Sequence, residues 1–127
     1  MLGIPTRYSL DNMWSLDYNI NMKEIIAYKF KDGKCPFDEW IANLDISVQT
    51  RIVKRMERVR QGNLGDWKKL DSDISELRFN FGPGYRIYFS EVDNVIMILL
   101  CAGDKSTQSK DIKKAKEYLK DLLERTS

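Results

Sequence analysis

Apolar and polar positions change period along this chain in a way that marks out its elements. From Glu24 to Phe30 the residues are rich in Ile and aromatics and end at Asp32-Gly33, the pattern of a strand running into a turn. Behind Pro36, which suits the first turn of a helix, Phe37, Trp40, Ile41 and Leu44 recur at i, i+3, i+4 and i+7. A second amphipathic helix follows, with Ser47 as its expected cap, Val48, Ile52, Met56 and Val59 on its buried side, and Gly62 as its stop. Two helices joined by about two residues pack as an antiparallel hairpin, and their shared apolar face requires a sheet to cover it.

The period then shortens to two. Leu77, Phe79 and Phe81 alternate with Glu76, Arg78 and Asn80 between Ile74 and Phe81, and Tyr85, Ile87 and Phe89 oppose Arg86 and Tyr88 between Tyr85 and Ser90. Gly82-Pro83-Gly84 between them has the composition of a tight turn, so the two strands form a hairpin. A three-residue turn sets Phe81 opposite Tyr85 and pairs Asn80 with Arg86, Arg78 with Tyr88, and Glu76 with Ser90. This register gathers Glu76, Arg78, Asn80, Arg86 and Tyr88 on one polar, exposed face.

Val95 to Cys101 is apolar on both sides and belongs in the sheet interior. After a polar loop from Gly103 to Ser109, Ile112, Ala115, Leu119, Leu122 and Leu123 form the stripe of a C-terminal amphipathic helix. The expected order is β-α-α-β-β-β-α. It describes an α+β domain over residues 22–127: an antiparallel sheet of about four strands packed against an N-terminal helical hairpin, with a C-terminal helix. Residues 1–21 follow neither period and are expected to form a poorly packed extension.

Composition narrows the chemistry. The chain has 127 residues, 21 Lys+Arg, 19 Asp+Glu, two Cys and no His, which suits one domain. A serine-histidine hydrolase, a histidine-relay nuclease and an imidazole zinc site are excluded, and two Cys cannot build a four-thiolate site. No metal or cofactor is therefore expected, and Cys35 and Cys101 read as semi-buried thiols. The longest apolar run, Val95 to Ala102, has eight residues where a membrane helix needs ~20, and nothing in residues 1–22 resembles a signal peptide. A cytoplasmic protein without a membrane partner is expected.

Charge is uneven along the chain. Arg51, Lys54, Arg55, Arg58, Arg60, Lys68 and Lys69 crowd the stretch from Arg51 to Leu70 against only Glu57 and Asp66. That cluster suits a nucleic-acid footprint, and equally a solvated helix face. A sheet face bearing Arg78, Arg86 and Tyr88, flanked by Lys68, Lys69 and Lys105 from loops, suits a polyanion with planar bases. RNA cleavage by its own 2′-hydroxyl fits this inventory, since the nucleophile lies beside the phosphate and the protein need only position it, stabilise the phosphorane and protonate the leaving oxygen. The same residues also make a salt-bridged polar surface, with Glu76 balancing Arg78 and Arg86 and Tyr88 shielding the backbone.

The strings RIVKRMERVRQGNLGDWKKL, SELRFNFGPGYRIYF and VIMILLCAGDKSTQSKDIKKAKEYL, in this order, resemble the RelE/ParE toxin superfamily, and within it the HigB-like addiction module killer group related to phage Gp49-like proteins. The resemblance runs from about Lys23 to Leu123. It implies the toxin of a type II toxin-antitoxin pair, an endoribonuclease that enters the ribosomal A site and cuts mRNA. Its implied partners are the ribosome, mRNA and a DNA-binding antitoxin of helix-turn-helix type, encoded next door.

By the same resemblance Arg78 matches an arginine that stabilises the cleaved phosphate, while Lys68 and Lys105 lie where relatives carry site lysines and a late basic residue. Some relatives also use a tyrosine or histidine near the C-terminal end of the site, where this chain has Asp111 and no His, so proton transfer is left unassigned: Tyr88 or Lys68 could supply it, or the activity is weak or the target different. Arg51, Lys54, Arg55, Arg58, Lys69 and Arg86 are the expected RNA-binding residues. Two other functions fit the same superfamily: a ParE-like inhibitor of DNA gyrase without nuclease activity, and a decayed toxin that only binds its antitoxin.

Overall fold

A computed structural model describes residues 22–126. In chain order the elements are β1 (Glu24–Ala27), α1 (Pro36–Ala42), α2 (Ile46–Arg60), β2 (Trp67–Lys69), β3 (Ser75–Arg78), β4 (Tyr85–Val92), β5 (Ile96–Asp104), a 3-10 turn (Lys105–Thr107) and α3 (Gln108–Thr126). The strands form a five-stranded sheet in the order β1-β5-β4-β3-β2. The domain is α+β, as expected, but two features of the expected sheet are corrected. The fifth strand, β2, has only three residues and no period of its own, and exists because Trp67, Lys68 and Lys69 pair with Leu77, Glu76 and Ser75. The sheet is also mixed, because β1 runs parallel to β5, with Glu24 opposite Ile96. The expected extension at 1–21 lies outside the described residues.

The β3-β4 register differs from the expected one by two residues. Arg78 pairs with Arg86, Leu77 with Ile87, Glu76 with Tyr88 and Ser75 with Phe89. The connection runs through residues 80–84, with Gly82 at φ +56° and Gly84 at φ +78° closing it. A slip of two keeps every side chain on its predicted face, so alternation alone could not exclude it. Asp93 and Asn94, both at positive φ, turn β4 into β5, and the Val95 N–H donates to the Val92 carbonyl at 3.0 Å.

Helices cover both faces of the sheet. On one, Leu77, Phe79, Ile87, Phe89, Met97 and Leu99 pack with Phe37, Ile52 and Val59 of the α1-α2 hairpin. On the other, Tyr88, Leu100, Cys101 and Ile74 pack with Tyr28 and with Ala115 and Leu119 of α3. The polar face expected to be exposed is this second one, and α3 lies across it: Tyr88 is 0% and Glu76 1% exposed. Polar groups there are buried against polar groups of the helix, since Gln108 Nε2 donates to Glu76 Oε1 at 2.9 Å. Smaller corrections follow from pairing and capping. Asp45, not Ser47, occupies the N-cap of α2; β5 extends through Gly103 and Asp104; and Leu123 is 57% exposed, outside the buried stripe. Gly62 at φ +96° ends α2 as expected.

Candidate nucleic-acid interface

Arg78 at the end of β3 and Arg86 near the start of β4 stand directly opposite each other on the α3 side of the sheet. Like charges so placed repel, and each guanidinium has its own carboxylate. Arg78 donates through Nη2 and Nε to Asp66 Oδ1 at 3.0 and 3.2 Å, and Asn80 Nδ2 donates to Asp66 Oδ2 at 3.2 Å. The hydrogen bond from Arg78 holds the Asp66 carboxyl below the usual carboxylate range. Arg86 donates through Nη1 to the Gly84 and Tyr85 carbonyls, and its Nε lies 3.8 Å from the buried Glu76 Oε1. The Arg78 side chain remains 35% exposed, while that of Arg86 is 12% exposed.

Two lysines complete this corner. Lys68 on β2 lies across from Glu76, on the same face, and is exposed. It is the diagonal neighbour of Arg78, with Cβ atoms on the order of 7 Å apart for such pairs. Lys105 opens the 3-10 turn after β5, and its N–H donates to the Pro83 carbonyl at 3.4 Å. Gly84 borders this approach, where a Cβ would be in ordinary contact with Lys105 Cβ at 3.4 Å and Arg86 Nη1 at 3.5 Å, and its φ of +78° is what favours glycine. Asp104 fixes the turn by accepting from the Ser106 N–H at 2.8 Å.

Other sequence candidates lie elsewhere. Tyr88, expected on the exposed face, is sealed between the sheet and α3, its hydroxyl finds no hydrogen-bond partner among the described residues, and burial raises its pKa, aided by Glu76. Arg55, expected on the solvent side of α2, turns inward. Its guanidinium lies over the Phe79 ring and donates to the carbonyls of Leu64 at 2.8 Å, Asp66 at 2.7 Å, and Arg78. Burial lowers its pKa from the ordinary value. Arg51 stacks on Phe81 at 3.6 Å. Lys54 and Arg58 are exposed on α2, which packs against the opposite face of the sheet, and Lys69, paired with Ser75, falls on that face too.

Sequence reasoning missed Asp66 and Gln108 as partners of the site. Their signal is only positional: Asp66 precedes Lys68 by two residues and so shares its face once β2 is recognised as a strand. Among the described residues no group of three or more His, Cys, Asp or Glu could hold a metal ion, and no helix is long and apolar enough to cross a membrane.

Residues 39–121 match the family model of the phage-derived Gp49-like proteins. An uncharacterized protein of Haemophilus influenzae is 45% identical over 87 residues, an alignment covering 68% of this chain and 88% of that protein.

Proposed function

Because this chain belongs to the phage-derived Gp49-like family, which lies in the RelE/HigB-like toxin group, we propose that it is the toxin of a type II toxin-antitoxin pair and cuts mRNA on the ribosome. One observation carries the nuclease reading: Arg78 and Arg86 side by side, with Lys68 and Lys105 flanking them on the same face. Asp66 and Glu76 offset the repulsion between the two arginines, and Arg78, 35% exposed and tethered to a carboxylate that is itself partly exposed, is the one an incoming phosphate can reach.

Each residue has a role in attack by the 2′-hydroxyl on its own phosphate. Arg78, the more exposed arginine, binds the phosphate and stabilises the phosphorane after the phosphate displaces Asp66. Lys68 assists deprotonation of the 2′-hydroxyl or neutralises the charge that develops, and the departing 5′-oxygen takes its proton from water. Lys105 grips a flanking phosphate. Arg86, anchored to Glu76 and to two backbone carbonyls, supplies fixed positive potential behind Arg78. Tyr88, being buried, has no part in this scheme. Such a toxin works in the cytoplasm and is silenced by an antitoxin, a helix-turn-helix DNA-binding protein whose acidic or apolar segments cover part of the basic surface.

Primer extension on mRNA after induction tests the reading. Discrete in-frame cuts that vanish in Arg78→Ala, with an unchanged thermal midpoint, support it. Loss of supercoiling without cuts would mean a gyrase inhibitor, and neither effect would mean a protein that only binds its antitoxin. Losing a preorganised phosphate donor costs ~10²-fold or more in rate, whereas losing a half-exposed salt bridge costs ~1 kcal/mol or less.

A further inference from the structure

The segment from Lys105 to Lys120 carries six lysines, Lys105, Lys110, Lys113, Lys114, Lys116 and Lys120, against Asp111 and Glu117. Asp111 does not offset them at the surface. Its side chain is turned into the sheet, 6% exposed, where Oδ2 accepts from Thr107 Oγ1 at 2.5 Å. Lys110, Lys113 and Lys120 are exposed opposite the buried line of Asp111, Ala115 and Leu119, with Glu117 exposed among them, and Lys116 stands to one side with its Nζ 3.6 Å from Asp71 Oδ2. At 1.5 Å per residue Lys110, Lys113 and Lys120 form a row about 15 Å long, and Lys105 extends it to the corner formed by Arg78 and Arg86.

We propose that this lysine row on α3 is the track for single-stranded RNA entering the corner of Arg78, Arg86 and Lys105. The inference rests on the nuclease reading above and deepens it by naming where the chain of phosphates lies. Three observations favour it. First, α3 and the arginine corner share one face of the sheet, whereas the basic residues of α2 lie over the other. An RNA strand seated on Arg78 therefore meets α3. Second, protein partners are gripped chiefly through large apolar and aromatic anchors. Between Lys105 and Leu122 no large apolar side chain is exposed, while Ile46 and Val53 stand out on α2 and Trp67 on β2. Third, Ser106 and Ser109 punctuate the row near its start, and the positive end of the α3 dipole adds to the lysines there.

The test is anisotropy of a fluorescein-labelled 12-nucleotide single-stranded RNA, titrated with the full-length protein from low to moderate salt. Each lysine-phosphate contact in a single strand contributes about 0.7 to the slope of log K against log salt. Replacing Lys110, Lys113 and Lys120 with Gln should lower the slope by about 2 and the affinity at 0.1 M salt by on the order of 100-fold. The charge-matched α2 variant, with Lys54, Arg58 and Arg60 changed to Gln, tests the competing basic surface expected from the sequence, and if the track lies on α3 it keeps the parental slope. Arg at the three α3 positions should restore binding, which separates charge from any disturbance of the helix. If the α3 Gln variant keeps the parental slope, or if the α2 variant loses it instead, the track is wrong while the nuclease reading stands. If the parent protein shows no salt-dependent RNA affinity and cuts no mRNA, the nuclease reading falls with it.

Discussion

Gly103→Ala is expected to be the most damaging single methyl addition in the domain, and the reason lies in one carboxylate. Gly103 does not have a positive φ, so its backbone accepts alanine. Alone, that change would stabilise the chain by about 0.4 to 1 kcal/mol through the unfolded state. The new Cβ, however, would stand 1.8 Å from Asp111 Oδ2, 2.9 Å from Asp111 Cγ and 2.7 Å from Thr107 Oγ1. Asp111 has no solvent to retreat into without lifting α3 from β5. Overpacking at about 1 to 3 kcal/mol, together with loss of the charged hydrogen bond from Thr107 at about 1.5 to 3 kcal/mol and less the unfolded-state gain, gives a net cost of about 1.5 to 5.5 kcal/mol. At roughly 4 °C per kcal/mol for a domain of this size, the thermal midpoint should fall by roughly 6 to 22 °C.

A double-mutant cycle isolates the contact. Asp111→Ala alone costs only its hydrogen bond, and in the double variant the remaining neighbour is a hydroxyl that can rotate away. Chemical denaturation should therefore show the double variant to be no less stable than Asp111→Ala, a coupling of about 2 kcal/mol or more. Additive costs, or a Gly103→Ala loss below about 1 kcal/mol, would refute the reasoning and the placement of α3 on β5 with it.

Other outcomes follow from the same geometry. Arg55→Ala should cost about 2 to 4 kcal/mol in guanidinium denaturation, because three loop and strand carbonyls lose their donor at once, whereas Lys54→Ala should stay within about 0.5 kcal/mol. Asp66→Asn frees Arg78, so RNA affinity should rise a few-fold. Because the folded-state pKa of Asp66 is depressed, its stabilising effect is present above the unfolded value near ~3.9 and is lost as pH falls through the folded one. The stability gap between parent and Asp66→Asn should thus be flat from neutral pH to about 5 and close under stronger acid, as an acid titration followed by circular dichroism would show. Burial raises the Cys35 thiol and pushes Cys101 up to about 12, so a thiol reagent at pH 8 should label neither until the chain unfolds.

The elements that packing dictates locally were legible in the sequence. The stripe of Phe37, Trp40, Ile41 and Leu44 and the alternation of Leu77, Phe79, Ile87 and Phe89 both lead to the hairpin side of the core. What pattern reading missed has physical causes. A polar face was taken to be a wet face, yet Glu76 and Tyr88 are covered by α3, whose own inward stripe begins with a carboxylate, Asp111, so polar groups on both surfaces conceal the burial. Arg55 falls off the apolar stripe of α2 and reads as an RNA-binding residue, yet its guanidinium turns inward to the carbonyls of Leu64 and Asp66. The strand β2 is too short to have a period, and the partner of β1 is set by contacts far along the chain. Lys68 is the cross-strand diagonal neighbour of Arg78 and Lys105 stands beside Gly84, while the carboxylate that tethers Arg78 immediately precedes a strand the pattern did not contain.

The parallel pairing of β1 with β5 also sets a schedule for synthesis. Glu24 waits for Ile96, and at about 5 to 20 residues per second the intervening chain takes on the order of 4 to 14 s to emerge. During that interval the β1 backbone has no strand to pair with, while α1, α2 and the meander of β3 and β4 can already associate through local contacts. Lys105 and the lysines of α3 are made later still. Under the function proposed above, the corner of Arg78, Arg86 and Lys105 cannot assemble until β5 has paired with β4, so the ribosome that builds the chain would be spared until β5 and Lys105 have emerged.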